Sequence, residues 1–132
     1  MTYTASETLY LIDNSCDHLL IGYPVMEKQA VKKLLLKIKE GKDVTFMVDC
    51  EQHLHFLQQL AEEINVTVQV CIDINVSADY SILYFGTKRS PISTIEKLQS
   101  FLQTLKRYPL IQVVGAMGYD AQIAGVTDHF DN

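Results

Sequence analysis

Short apolar runs alternate regularly with amphipathic stretches of helical period along this chain, and few folds accept that order. His18-Leu19-Leu20-Ile21-Gly22 is an apolar run closed by Tyr23-Pro24, and it reads as a buried strand. Residues 27–40 follow, with Ala30, Val31, Leu34, Leu35 and Ile38 at helical spacing and Gly41 as the stop. Val44 through Val48 forms the next strand and ends at Asp49-Cys50. The helix after it aligns Leu54, Leu57, Leu60, Ala61 and Ile64. Val66 through Ile74 is rich in β-branched residues and reads as a third strand. An irregular stretch over 75–91 leads through Ser90-Pro91 into a helix carrying Ile95, Leu98, Phe101, Leu102 and Leu105 on one face. Leu110 through Gly115 is a fourth strand, and 116–132 reads as a polar, glycine-containing tail. Residues 5–14 are expected to close another helix. The order α-β-α-β-α-β-loop-α-β implies parallel strands joined by right-handed crossovers.

Two architectures satisfy that order: part of a (β/α)8 barrel and a small open doubly wound sheet. A complete barrel needs roughly 250 residues, whereas the chain has 132. It is expected to be a single α/β domain over 1–132, with a parallel sheet of about four strands. Hydrophobic residues make up 48% and charged residues 20%, enough apolar surface for a packed core. The formal charge is −5, from 11 Lys and Arg against 16 Asp and Glu. That balance gives no general attraction for a phosphate backbone, so no nucleic-acid partner is expected. The lysines between 28 and 42 read as the solvated face of one helix. The start carries no leader-like segment and no apolar run nears the ~20 residues of a membrane span. No membrane partner and a cytoplasmic location are therefore expected. Cys16, Cys50 and Cys71 are far apart, and the latter two are expected as buried thiols.

Either architecture places function at the carboxyl ends of the strands. Four places qualify: Tyr23-Pro24, Asp49-Cys50, residues 73–91 and residues 118–125. Asp49 is expected as a helix N-cap. Asp73 lies inside Cys71-Ile72-Asp73-Ile74, where a carboxylate must find a partner or stay neutral. Phe85 through Pro91 gathers two cations and two hydroxyls, a composition suited to gripping an anion or to an exposed turn. Tyr119, directly after a strand, is suited to stacking on a flat group or to a place on the rim. His53 and His55 are two apart and do not share a helix face, and the histidine spacing shows no zinc signature, so no metal ligand is expected.

The strand ends also carry a likeness. Gly115-Ala116-Met117-Gly118-Tyr119-Asp120-Ala121-Gln122-Ile123-Ala124-Gly125-Val126 resembles the GLMGYEAQIAGV stretch of the D-serine dehydratase and D-threonine aldolase-like proteins. Phe85 through Pro91 resembles their FGVRRSP loop, Leu19 through Val25 their ILLAYPV strand, and Val48-Asp49-Cys50 their VDS strand end. The matches occur in the same order and cover nearly all of the chain. The resemblance implies an alanine-racemase-like barrel that holds pyridoxal 5′-phosphate (PLP), and the parent reaction it implies is deamination or aldol cleavage of a small-molecule amino acid. Carried over by position, it implies cofactor-site roles for Arg89, Tyr119 and Gln122. It places the Schiff-base lysine on the first barrel strand, upstream of the matched stretches. No lysine of this chain ends an expected strand, so no catalytic residue is assigned and the isolated chain is expected to lack PLP catalysis. Within the loop the family reads DMSLRLPGLHFGVRR, where this chain has Asn75 for Asp, Asp79 for Arg, Tyr84 for His and Lys88 for Arg. Asp120 stands for a Glu. Asp79 reverses a charge beside an anionic cofactor. The alternative is a non-catalytic assembly module that self-associates or pairs with a complementary fragment through open sheet edges.

Overall fold

The computed structural model describes residues 1–80, 82–121 and 123. Its elements in chain order are α1 (Ala5–Asp13), β1 (Leu19–Ile21), α2 (Lys28–Lys39), β2 (Val44–Val48), α3 (Glu51–Ile64), β3 (Val68–Ile74), β4 (Ala78–Tyr80), β5 (Leu83–Phe85), α4 (Ile95–Leu105) and β6 (Ile111–Gly118). The main sheet has the order β1-β2-β3-β6, and all three pairings are parallel. No strand doubles back, so there is no topological switch point of the kind that defines a doubly wound sheet. The doubly wound alternative is thereby removed. A sheet that grows in one direction through right-handed crossovers puts every helix on the same face. Accordingly α1 packs on α2, α2 on α3 and α3 on α4.

The core lies between that helical layer and one face of the sheet. Side chains alternate along a strand, and Val44, Phe46 and Val48 of β2 join Val68, Val70 and Ile72 of β3 beneath Leu34, Leu35, Leu54 and Phe101. The other face of the sheet carries Thr45, Met47, Gln69, Cys71 and Asp73. In a closed barrel that face is the interior. The lysines of α2 tie neighbouring helices together: Lys37 Nζ lies 3.1 Å from Asp13 Oδ1, and Lys32 pairs with Glu63. No described helix is long and apolar enough to cross a membrane.

Four features differ from the sequence reading. Strand β3 starts at Val68 because Asn65 adopts the left-handed conformation (φ 57°) and the Val66 amide closes α3 on the Ala61 carbonyl at 3.1 Å. The stretch expected as irregular contains an antiparallel hairpin, with Ala78 opposite Phe85 and Tyr80 opposite Leu83. Its strands are three residues each, shorter than periodicity can detect. Strand β6 runs on to Gly118, since β3 continues to pair with it up to Ile74 opposite Gly118. Small residues there allow close approach: a Cβ on Gly118 would lie 2.6 Å from Val76 Cγ1. Finally, only one edge of the sheet is bare among the described residues. The β1 edge carries a parallel bridge between Thr2 and Ile21, with the Thr2 amide bonded to the Leu20 carbonyl at 2.8 Å. On the β6 edge Val113 and Val114 are exposed, and the register slips by one residue at Val114.

Candidate functional site

The carboxyl ends of β1, β3 and β6 meet around one guanidinium. Asp73 is the penultimate residue of β3 and points to the face away from the helices. Arg89 reaches it from the segment that follows β5, with Nε 2.9 Å from Asp73 Oδ2. Its Nη2 donates to the Gly22 carbonyl just beyond β1. The Arg89 Cζ lies 4.5 Å from the centre of the Tyr23 ring and 5.8 Å from that of Tyr119, just beyond β6. One side chain therefore bonds or stacks against the ends of three strands. The returning loop is fixed behind it: Ser90 Oγ donates to the Asp73 carbonyl at 2.6 Å, and the Asn75 amide donates to the Ile92 carbonyl at 2.8 Å.

The carboxylate is almost sealed from water, with side-chain exposures of 2% for Asp73 and 17% for Arg89. Burial pushes the Asp73 carboxyl above its ordinary range, the Arg89 hydrogen bond and charge oppose that rise, and the negative charge of Asp49 adds to it. Asp73 Oδ1 is buried without a hydrogen-bond partner among the described residues. A carboxylate oxygen in that state is costly unless a donor arrives or a proton binds.

A second group stands at the end of β2. Asp49 is not the helix cap: Cys50 occupies the N-cap of α3, with no side-chain cap bond. The extended backbone of Cys50 places Asp49 one residue too early to cap. Its carboxylate instead meets His53, Oδ1 to Nδ1 at 2.9 Å. Cys50, expected as buried, is half-buried. Burial raises its thiol above the usual range, while the His53 and Gln52 amides pull the other way. Comparing histidine only with histidine hid this group. The visible signal was the i, i+4 spacing of Asp49 and His53 across a strand-to-helix junction.

Of the residues carried over from the resemblance, Arg89 and Tyr119 come together at this end of the sheet, and Gln122 lies outside the described residues. Arg89 is engaged by Asp73 and is not a free anion receptor. The lysines lie on α2, on α4 and in loops at 42, 88 and 106, and none is in the main sheet. Asp79 is exposed on β4, and Lys88 stacks over Tyr84 with Nζ 4.9 Å from the ring centre.

No family model and no curated protein matches the sequence. Solved structures do. The crystal structure of D-threonine aldolase from Filomicrobium marinum superposes over 93% of this chain with a TM-score of 0.75 at 17% identity. Alanine racemase from Clostridium difficile 630 superposes over 88% with a TM-score of 0.66 at 14% identity. The chain spans 31% and 27% of the lengths of those two proteins, less than a third of each. Sequential parallel strands, helices on one face and these superpositions agree: the chain has the fold of part of the barrel shared by D-threonine aldolase and alanine racemase.

Proposed function

We propose that this chain forms part of the wall of a PLP-dependent amino-acid enzyme of the deaminase or aldolase type, and that the lysine completing the site is supplied from outside these 132 residues. The observation that carries the reading is the Arg89–Asp73 pair beneath Tyr23 and Tyr119, built where a barrel keeps its chemistry. PLP supplies an electron sink once it is bound to a lysine. The described residues do not hold that group by themselves. No lysine stands at a strand end, the charge of Arg89 is spent on Asp73, and the unpaired Asp73 Oδ1 repels an anionic phosphate. The roles left to this chain are orientation and charge: Arg89 locks three strand ends together, and Tyr119, 48% exposed, offers a ring face to the open side.

The test is a titration of the purified chain with PLP, followed by borohydride reduction and peptide mapping. We expect sub-stoichiometric labelling scattered over the exposed lysines of α2. Stoichiometric labelling of one lysine would overturn the reading, because the anchor would then lie within this chain.

The bare β6 edge favours a second role, self-association or pairing with a complementary segment. Val113 and Val114 are 38% and 48% exposed on a strand that pairs with β3 alone among the described residues. Size-exclusion chromatography tests self-association: a dimer or larger species supports it, and a monomer at high concentration refutes it.

A further inference from the structure

The group at the end of β2 has the composition of a transition-metal site, and we propose that Asp49, Cys50 and His53 bind a single divalent cation of the zinc type. The proposal rests on how the chain turns. Strand β2 stops at Val48, Cys50 is extended (φ −148°, ψ 164°), and α3 begins at Glu51. That turn folds positions i, i+1 and i+4 back on one another. One ligand atom from each residue lies within 4.8 Å of the others, and no other three such side chains converge among the described residues. With metal–ligand bonds of 2.0–2.3 Å, the edges of a tetrahedral zinc site are about 3.3–3.8 Å. The Asp49–His53 edge, at 2.9 Å, then opens slightly and the longer edges close by about 1–1.5 Å at most, within the reach of rotamer adjustment on one helical turn.

The donor set selects the ion. A thiolate and an imidazole favour zinc and its neighbours over magnesium or calcium, which take oxygen ligands. Partial burial favours binding, since Asp49 and His53 side chains are 11% and 18% exposed and compete little with bulk water. The helix N-terminus opposes a cation through its dipole. Three protein ligands leave a fourth position open. Asp49 also lines a cleft of about 290 Å³ with Pro91, Ile92 and Phe101. Glu51, on the same cleft, is engaged by Arg107 and Tyr108 and is left out of the site. The inference is independent of the PLP reading, because neither Arg89 nor a lysine takes part.

The test uses the intact chain, stripped with a chelator and titrated with Co²⁺ as a spectroscopic stand-in for zinc. We expect a thiolate-to-cobalt charge-transfer band that saturates at one equivalent and is discharged by added zinc. Cys50→Ser removes the band, whereas Cys16→Ser retains it. His53→Gln weakens binding by at least roughly tenfold, the lower bound even for residues that merely support a metal ligand. Circular dichroism confirms the fold of each variant, and Asp49→Asn serves in place of Cys50→Ser if the latter fails to fold. Absence of the band in the native chain overturns the proposal, as does a band unchanged in Cys50→Ser or in the two remaining ligand variants.

Discussion

Replacing Arg89 by methionine removes the cation facing Asp73 while keeping much of its apolar volume. Breaking a buried ion pair from one side costs about 3–5 kcal/mol, because the surviving charge stays desolvated. The side-chain exposures of 2% for Asp73 and 17% for Arg89 place this pair in the buried class. Lost stacking on Tyr23 adds about 0.5–2 kcal/mol. Protonation of Asp73 limits the total, so the expected loss at neutral pH is about 3–4 kcal/mol. The pH dependence has a definite sign. The Asp73 carboxyl is already raised above its ordinary value of 3.8 by burial, and Arg89 restrains the rise; without Arg89 it rises further. A group whose folded pKa is raised favours folding most below its unfolded value and loses that contribution as pH rises through the folded value. The loss from Arg89→Met is therefore smallest near the unfolded value and grows to a plateau toward neutral pH. Urea denaturation across that range measures it. Adding Asp73→Asn removes the stranded charge and should recover most of the loss at neutral pH. A penalty that is independent of pH, or a double variant as unstable as Arg89→Met alone, would refute the reasoning.

Three further outcomes follow from other parts of the fold. Gly118→Ala forces a Cβ to within 2.6 Å of Val76 Cγ1 and should cost about 1–3 kcal/mol by overpacking, with Val76→Ala in the same chain restoring it in urea denaturation. Thr94→Ala removes the oxygen that caps α4 through the Lys97 amide at 3.3 Å and should cost about 1 kcal/mol, read in the same way. Val114→Lys on the β6 edge should shift the chain toward monomer in size-exclusion chromatography, and an unchanged oligomer would remove that edge from the contact between copies.

Legibility in the sequence followed the strength of local signals. Strands β1 and β2 and the helices α2, α3 and α4 were legible because each has a continuous apolar run or stripe and a clear stop, such as Gly41 (φ 97°) after α2. The hairpin β4–β5 was not, since three-residue strands carry no period. The far end of β6 was hidden by Ala116 and Gly118, small residues that read as the start of a glycine-containing tail and are held extended by β3. Partners were harder to read than positions. Asp73 stood out as a carboxylate in an apolar run, yet its mate, Arg89, lies 16 residues away along the chain. The Asp49–His53 contact is local but was masked by the expectation that an Asp at a strand-to-helix junction caps the helix. Strand order decided between barrel and open sheet, and that is a property of long-range pairing which no window of sequence contains.

In this reading the wall is completed by a lysine supplied from elsewhere. The direct measurement is to co-express the chain with a segment carrying the lysine-bearing first strand of such a barrel, and to record the absorbance of the purified complex with PLP. The expected result is a complex in which the absorbance of lysine-bound PLP appears, is lost when that lysine is replaced, and requires more PLP in Arg89→Met, because the strand ends that Arg89 holds together shape the site. Failure to form a complex, or PLP binding unchanged by Arg89→Met, would contradict it.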